Sequence, residues 1–231
     1  MLSDRGVQMK ISLKNSLRSL GFAAFLAVFS ANAAEDVGLI NHLAGDVSYT
    51  SGGAGAKAKP YMKVREGDRF NLPAGAQLRL VYFKGGRQES FSGPASLTAG
   101  AAQSAVQSGS QPQVTTLPAG VPQKIAQTPE LIQIARLGRS GGVAVRGAGS
   151  EQRLTSQQQA EVRQARQTYD QMRKTAAADD IVPELYLYSV LQDHLLYNDM
   201  KQVVSDMQRR QPANPDVAAM VEYVKVRTEA K

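Results

Sequence analysis

The 231-residue sequence predicts an α+β protein in two modules, a small all-β sandwich or roll followed by an α-helical hairpin array. Three observations carry this reading. Between about residues 37 and 98, short runs of alternating polar and apolar residues are punctuated by Gly, Pro and Asp every ten residues or so, as antiparallel strands require. From residue 151 the apolar residues recur at intervals of three and four, which lines one face of a helix. Hydrophobic residues make up 42% of the chain and charged residues 20%, the balance of a folded chain rather than a disordered one.

The first element is a leader. Lys10, Lys14 and Arg18 precede an apolar run from Leu20 to Phe29, and Ala31-Asn32-Ala33 follows. Basic, apolar and small-x-small segments in that order predict a secretory signal peptide over residues 1–33, cleaved before Ala34. The apolar run is shorter than the roughly 20 residues that cross a bilayer, and no cysteine is present to carry a lipid. Met9, directly before Lys10, is an alternative start to Met1. The expected location is the periplasm, or secretion, with no stable membrane span after cleavage. Removing residues 1–33 takes away Arg5, Lys10, Lys14, Arg18 and Asp4 and lowers the net charge from +7 to +4. The longest surviving basic run is Arg209-Arg210, so nucleic acid is not an expected partner. Another envelope protein or an envelope polymer is; the mild basicity itself reads as a solvated surface.

The strands come next. Residues 37–49 contain Gly-Leu-Ile-Asn-His-Leu-Ala-Gly-Asp-Val-Ser-Tyr, and Ser51-Gly52-Gly53-Ala54-Gly55 reads as a flexible loop. Glu66-Gly67-Asp68 and Pro73-Ala74-Gly75 read as turns around the alternating Arg69-Phe70-Asn71-Leu72. Gln77 to Phe83 alternates with Leu78, Leu80 and Tyr82 on one face. Lys84-Gly85-Gly86-Arg87 then has hairpin chemistry, because glycine accepts the positive φ of a tight turn. Gln88 to Phe91 returns, and Ser92-Gly93-Pro94 ends the strand.

In order, Ala44-Gly45-Asp46-Val47, Val64-Arg65-Glu66-Gly67-Asp68, Pro73-Ala74-Gly75-Ala76, Leu78 to Arg87 and Phe91-Ser92-Gly93-Pro94-Ala95 form a series that resembles the FecR-type extracytoplasmic β domain. The resemblance covers about residues 37–98 and implies a β domain outside the cytoplasm. Lys84-Gly85-Gly86 stands where the family has Asp-Gly, so the turn carries over and that aspartate does not. The best-known members of the family are membrane-spanning regulators that sense iron uptake and control a sigma factor.

Residues 99–113 are low in complexity and predict a linker or long loop. In 114–150, Val114-Thr115-Thr116-Leu117 and Gly142 to Gly147 look like strands, and Leu131-Ile132-Gln133-Ile134-Ala135 fits strand or helix. These are expected to complete the β domain. The helical module follows over 151–231. Ser156 with Gln159 has capping-box spacing, and Val162, Ala165, Tyr169 and Met172 form one stripe. Asp180 and Pro183-Glu184 start the next helix, with Leu187, Leu191 and Leu195 on it. Asn198 or Asp199 opens a third, carrying Met200, Val203, Val204 and Met207 and stopped by Pro212. Asn214-Pro215-Asp216 starts the fourth, with Val217, Met220, Val221 and Val224. Glu184 to Val217 resembles one degenerate tetratricopeptide unit, with Leu191 and Val203 where small residues would be expected. A module boundary near 149–151 predicts that the two parts can be separated.

The inventory of reactive groups is short. Without cysteine there is no thiol nucleophile, disulfide or thiolate metal site. His194 follows Asp193, but neighbours on a helix point about 100° apart and make no ready dyad. His42 has no partner at metal-ligand spacing. Glu66 and Asp68 read as a solvated turn, and Ser92 is not a nucleophile elbow. Gly138-Arg139-Ser140-Gly141-Gly142 with Arg146-Gly147 lacks the ending of a phosphate-binding loop. No catalytic, cofactor-binding or metal-binding residue is assigned, and no cofactor is implied. Four tyrosines, Tyr186, Tyr188, Tyr197 and Tyr223, are candidates for partner binding, since tyrosine anchors interfaces at little entropic cost; the other reading is that they pack the helical core. Residues 151–231 hold 11 basic and 12 acidic residues, so recognition there would depend on aromatics rather than charge. The sequence therefore points to a non-catalytic exported binding or scaffolding protein, and alternatively to a periplasmic sensor acting on a membrane partner.

Overall fold

Ten short strands build two five-stranded antiparallel sheets in the computed structural model, which describes residues 35–138 and 153–229. The strands are β1 (Asp36–Ala44), β2 (Ser48–Ser51), β3 (Ala54–Lys57), β4 (Lys63–Arg65), β5 (Arg69–Leu72), β6 (Gln77–Tyr82), β7 (Arg87–Ser92), β8 (Ala95–Ala99), β9 (Ser104–Ser108) and β10 (Gln113–Thr116). One sheet, A, has the order β10-β7-β6-β1-β4; the other, B, has the order β3-β2-β5-β8-β9. The hairpin between β6 and β7 turns on Gly85 and Gly86, at φ +77° and +65°, as the paired glycines require.

Alternation along each strand decides what the sheets share. Leu78, Leu80 and Tyr82 of β6 face Phe70 and Leu72 of β5 and Leu97 of β8 in a sandwich core, joined by Ile40 and Phe91. Each such side chain contributes about 1.5–3 kcal/mol when fully buried. The Tyr82 hydroxyl lies 2.7 Å from Ser104 Oγ, and burial pushes its pKa up to about 12.

The intervening residues of sheet A point the other way and meet the helices. These are α1 (Val121–Ile125), α2 (Thr128–Gly138), α3 (Ser156–Thr175), α4 (Val182–Asp193), α5 (Tyr197–Arg210) and α6 (Pro215–Glu229). Helices α3 to α6 pack each on the next, while α1 packs on α4 and α2 on α6. Leu39 of β1 and Val81 of β6, paired across the sheet, are both fully buried in one hydrophobic cluster with Val121, Ile125, Leu185, Leu191 and Val217 of the helices. The fold is thus α+β, a sandwich followed along the chain by a helical module, but the modules share a core.

That shared core corrects the expectation of separable parts. Two further expectations change. Residues 99–113 are not a linker: Ser104–Ser108 is a strand paired with β8, and Gly100 donates to the Gln103 carbonyl in the turn. An edge strand is held by its backbone ladder, so small polar side chains suffice and the composition conceals it. In 114–150, Val114–Thr116 does pair with β7, but Leu131–Ala135 belongs to helix α2, with Leu131, Ile132 and Ala135 buried. Those three sit at helical spacing and close the helical core rather than the sheet. The stretch Gly142–Gly147 and the boundary at 149–151 lie outside the described residues, as does the leader.

The first cap of the helical module sits one residue earlier than Ser156. Thr155 Oγ1 accepts the Gln158 N–H at 3.2 Å and Gln158 Oε1 accepts the Thr155 N–H at 2.9 Å. Thr-Ser-Gln-Gln-Gln offers either register; with Thr155 as cap, Leu154 stands before it and packs on the helical core. The fourth helix starts as the sequence indicates, with Asn214 Oδ1 accepting the Asp216 N–H at 2.9 Å.

The α3–α4 loop locks the helices to sheet A through charge. Gln88 of β7 donates to Asp180 Oδ2 at 2.7 Å, and Arg79 of β6 reaches Asp179 at 3.4 Å. His42 of β1 lies 3.8 Å from Asp179 through Nε2. Its pKa is lowered from the usual 6.5, first by burial and then by the Arg79 charge, against which Asp179, Asp180 and the Gln77 side chain act only partly. As the pH falls the unfolded chain takes up this proton before the folded one does. His42 therefore favours the fold fully above pH 6.5, and that contribution is lost below it. The urea midpoint should drop more between pH 7.5 and 5.5 for the native chain than for His42→Gln. An equal drop in both would show that His42 is not the responsible group.

Candidate functional site

The helices cover the outer face of sheet A, and among the described residues nothing packs on the outer face of sheet B. In β5, Phe70 and Leu72 turn into the sandwich, so Arg69 and Asn71 turn out to solvent. In β8, Ala95, Leu97 and Ala99 are buried and Ser96 and Thr98 are half-buried on the outer side. Ser48 and Thr50 of β2 are exposed between Val47 and Tyr49, which pack on the core.

The register aligns these side chains in two rows across the strands. One row runs Ser48, Asn71, Ser96, Ser108; the next runs Thr50, Arg69, Thr98, Ala105. Strands lie about 4.8 Å apart, and same-face residues of one strand about 6.7 Å apart. The register slips by one residue between Ser96 and Leu97, which adds Gln107 at the edge of the face. Between the rows lies a groove of about 330 Å³, lined by Ser48, Thr50, Arg69, Asn71, Ser96, Thr98 and Gln107 together with Phe70 and Leu97. Ser96 Oγ and Ser108 Oγ are 2.8 Å apart.

The electrostatics of this face are one-sided. The five strands of sheet B carry two basic residues, Lys57 and Arg69, and no acidic one. Lys57 Nζ pairs with Asp46 at 2.8 Å on the exposed edge. Arg69 takes part in none of the ion pairs among the described residues. Hydroxyls and amides both donate and accept hydrogen bonds, and the guanidinium only donates. The groove is therefore equipped to hold a polar ligand and presents no nucleophile beside a base.

Two of the four tyrosines are placed otherwise than a partner surface needs. Tyr188 and Tyr223 are 1% and 2% exposed inside the helical core. Tyr186 and Tyr197 are half-buried and pack against the same core. The rings of Tyr197 and Tyr223 meet edge-to-face at 6.0 Å, and Gln192 donates to the Tyr223 hydroxyl at 3.4 Å. Burial drives the Tyr188 hydroxyl pKa well above the usual range, and burial with the Tyr223 contact pushes that of Tyr197 up to about 12. Partner binding through Tyr188 and Tyr223 is corrected accordingly: α4 is buried on nearly every side, Tyr223 stands on the inward stripe of α6, and both rings are consumed in the helical core.

The other residues singled out have local duties. His194 Nε2 lies 3.2 Å from Glu161, while the neighbouring Asp193 pairs with Lys124. Asp68 is buried and accepts the Arg65 N–H at 2.9 Å, closing the turn in which Glu66 is exposed. Ser92 is exposed at the end of β7. Gly138 ends α2 against the Tyr223 ring, and the rest of that glycine-rich stretch lies outside the described residues. Among the described residues no group of three His, Asp or Glu side chains could hold a metal ion, and no helix is long and apolar enough to cross a membrane.

The polar face was within reach of the sequence. Ser48-Tyr49-Thr50, Arg69-Phe70-Asn71-Leu72 and Ser96-Leu97-Thr98 each alternate, and their polar members are the groove. What no local pattern says is which sheet the helices leave uncovered. No family model, curated protein or solved structure matches this chain.

Proposed function

We propose that the chain is a non-catalytic, exported binding or scaffolding protein of the cell envelope, whose ligand surface is the open face of sheet B and whose helices brace sheet A. The observation that carries this is the division of labour between the sheets. One outer face is consumed in a shared core with the helices; the other is a polar, carboxylate-free groove. The basic–apolar–Ala31-Asn32-Ala33 leader supports export, and the resemblance to the FecR-type domain supports an extracytoplasmic setting.

Because the native chain lacks cysteine, one introduced thiol gives a unique label. An environment-sensitive fluorophore on Thr98→Cys should respond to solubilised envelope material. The same fluorophore on Gln208→Cys, exposed on α5, should stay silent. A response confined to Gln208 would move the binding surface to the helices and overturn the assignment. N-terminal sequencing of the mature protein should begin at Ala34; an intact leader held in the inner membrane would refute export by cleavage.

A further inference from the structure

Resting on that reading, we propose that the groove of sheet B takes an acidic polysaccharide, with Arg69 gripping a sugar carboxylate and the flanking hydroxyls and amides holding the sugar hydroxyls. Arg69 is the one cation on the groove floor, on a strand interior to the sheet between β2 and β8. Its planar fork matches a carboxylate in a bidentate pair. Thr50 and Thr98 stand beside it in the same row, so an anion held there meets a hydroxyl on each side.

The second row explains the rest of the ligand. Ser48, Asn71 and Ser96 each carry a group that both donates and accepts, which complements sugar hydroxyls that do the same. Four strands from β2 to β9 span about 14 Å, the reach of an extended oligomer rather than a single small anion. None of the residues lining the groove is acidic, so an anionic chain lying in it meets no like charge; the carboxylate at the β3 edge of this face, Asp46, is paired with Lys57.

The same features weigh against other polymers. Single-stranded nucleic acid is held by aromatic platforms and rows of cations. The groove has one cation, and its one aromatic residue, Phe70, is 1% exposed with its ring in the sandwich core. An apolar peptide would find no side-chain pocket, since Phe70 and Leu97 are both turned inward.

The test uses the mature chain and calorimetric titration with a hexagalacturonate oligosaccharide, with maltohexaose as neutral control and a glycerol-phosphate polymer as the alternative anion. The native chain should bind the hexagalacturonate at least tenfold more tightly than maltohexaose. Arg69→Gln should abolish that preference, and Thr98→Val should weaken binding three- to fivefold. Lys57→Gln should change it less than twofold. Circular dichroism of each variant should match the native spectrum, since Arg69 is exposed and both Thr98→Val and Lys57→Gln leave the core alone. Tighter binding of the glycerol-phosphate polymer would overturn the assignment to a carboxylate. Equal affinity for the charged and neutral oligosaccharides, unaltered by Arg69→Gln, would overturn the role of Arg69. No binding of any of the three would overturn the ligand class; the Thr98 label then tells whether the face binds something else from the envelope, in which case the broader reading stands.

Discussion

Replacing Glu184 with alanine should destabilise the protein by about 3–5 kcal/mol, the range found when one partner is taken from a buried ion pair. Glu184 is fully buried at the start of α4. Arg173 of α3 donates to its two oxygens at 3.1 and 2.8 Å, and Arg210 of α5 donates to Oε1 at 3.0 Å. The Tyr169 hydroxyl stands 3.4 Å away. The same arginines tie down the α3–α4 loop, Arg173 through the Asp180 carbonyl at 2.6 Å and Arg210 through the Ala178 carbonyl at 3.0 Å. One carboxylate therefore holds three helices and the loop that docks on sheet A. Because the Arg173 and Arg210 side chains keep 15% and 27% exposure, some of their charge can return to water, which places the loss toward the lower end of the range. Even so it is a large part of the 5–15 kcal/mol that holds a typical domain. Urea unfolding of Glu184→Ala checks this. A loss below about 1 kcal/mol would mean that the triad acts as a solvated surface pair. Converting all three residues to apolar ones of similar size should recover only part of the loss, since no charge is then stranded but the loop carbonyls held by Arg173 and Arg210 lose their donors.

Leu39→Ala should cost about 2–5 kcal/mol, as deletion of a buried leucine side chain does, and the cost should be read at the helices. Leu39 lies on β1, is fully buried, and faces the helical cluster rather than the sandwich core. Helical dichroism at 222 nm reports on residues far along the chain, and tyrosine fluorescence reports on both parts, through Tyr49, Tyr61 and Tyr82 as well as Tyr169, Tyr186, Tyr188, Tyr197 and Tyr223. If the sandwich and the helices share one core, both signals should shift to lower urea together, in a single transition. A helical signal that keeps its native midpoint would mean that the two parts unfold separately. The comparison is clean because the Leu39 side chain packs in the helical cluster and not in that of the sandwich.

Much of the fold was legible residue by residue. The alternation of Leu78, Leu80 and Tyr82, the Gly85-Gly86 turn and the stop at Gly93-Pro94 each describe a choice the backbone makes within a few residues. So do the stripes of α3, α5 and α6 and the Asn214 cap. The strand at Ser104–Ser108 was hidden because its side chains bury little and its neighbours on β8 supply the hydrogen bonds. Helix α2 was ambiguous because Leu-Ile-Gln-Ile-Ala suits either period until it is known whether a sheet or a helix receives it.

By itself the sequence determined which side chains stand together on each face, since the periods of strand and helix are properties of the local chain. It thereby determined that β5 and β8 have a polar side and that α3 and α5 have an apolar one. Only the tertiary structure decided which face is left to solvent. Gln88 meets Asp180 across 92 residues, Arg79 meets Asp179 across 100, and Asn214 donates to the Tyr61 hydroxyl across 153. These long-range pairs set the helices against sheet A and, among the described residues, leave the row of Thr50, Arg69 and Thr98 open. No local pattern encodes that choice, because a covered face and a free face of a sheet differ in their partners and not in their period.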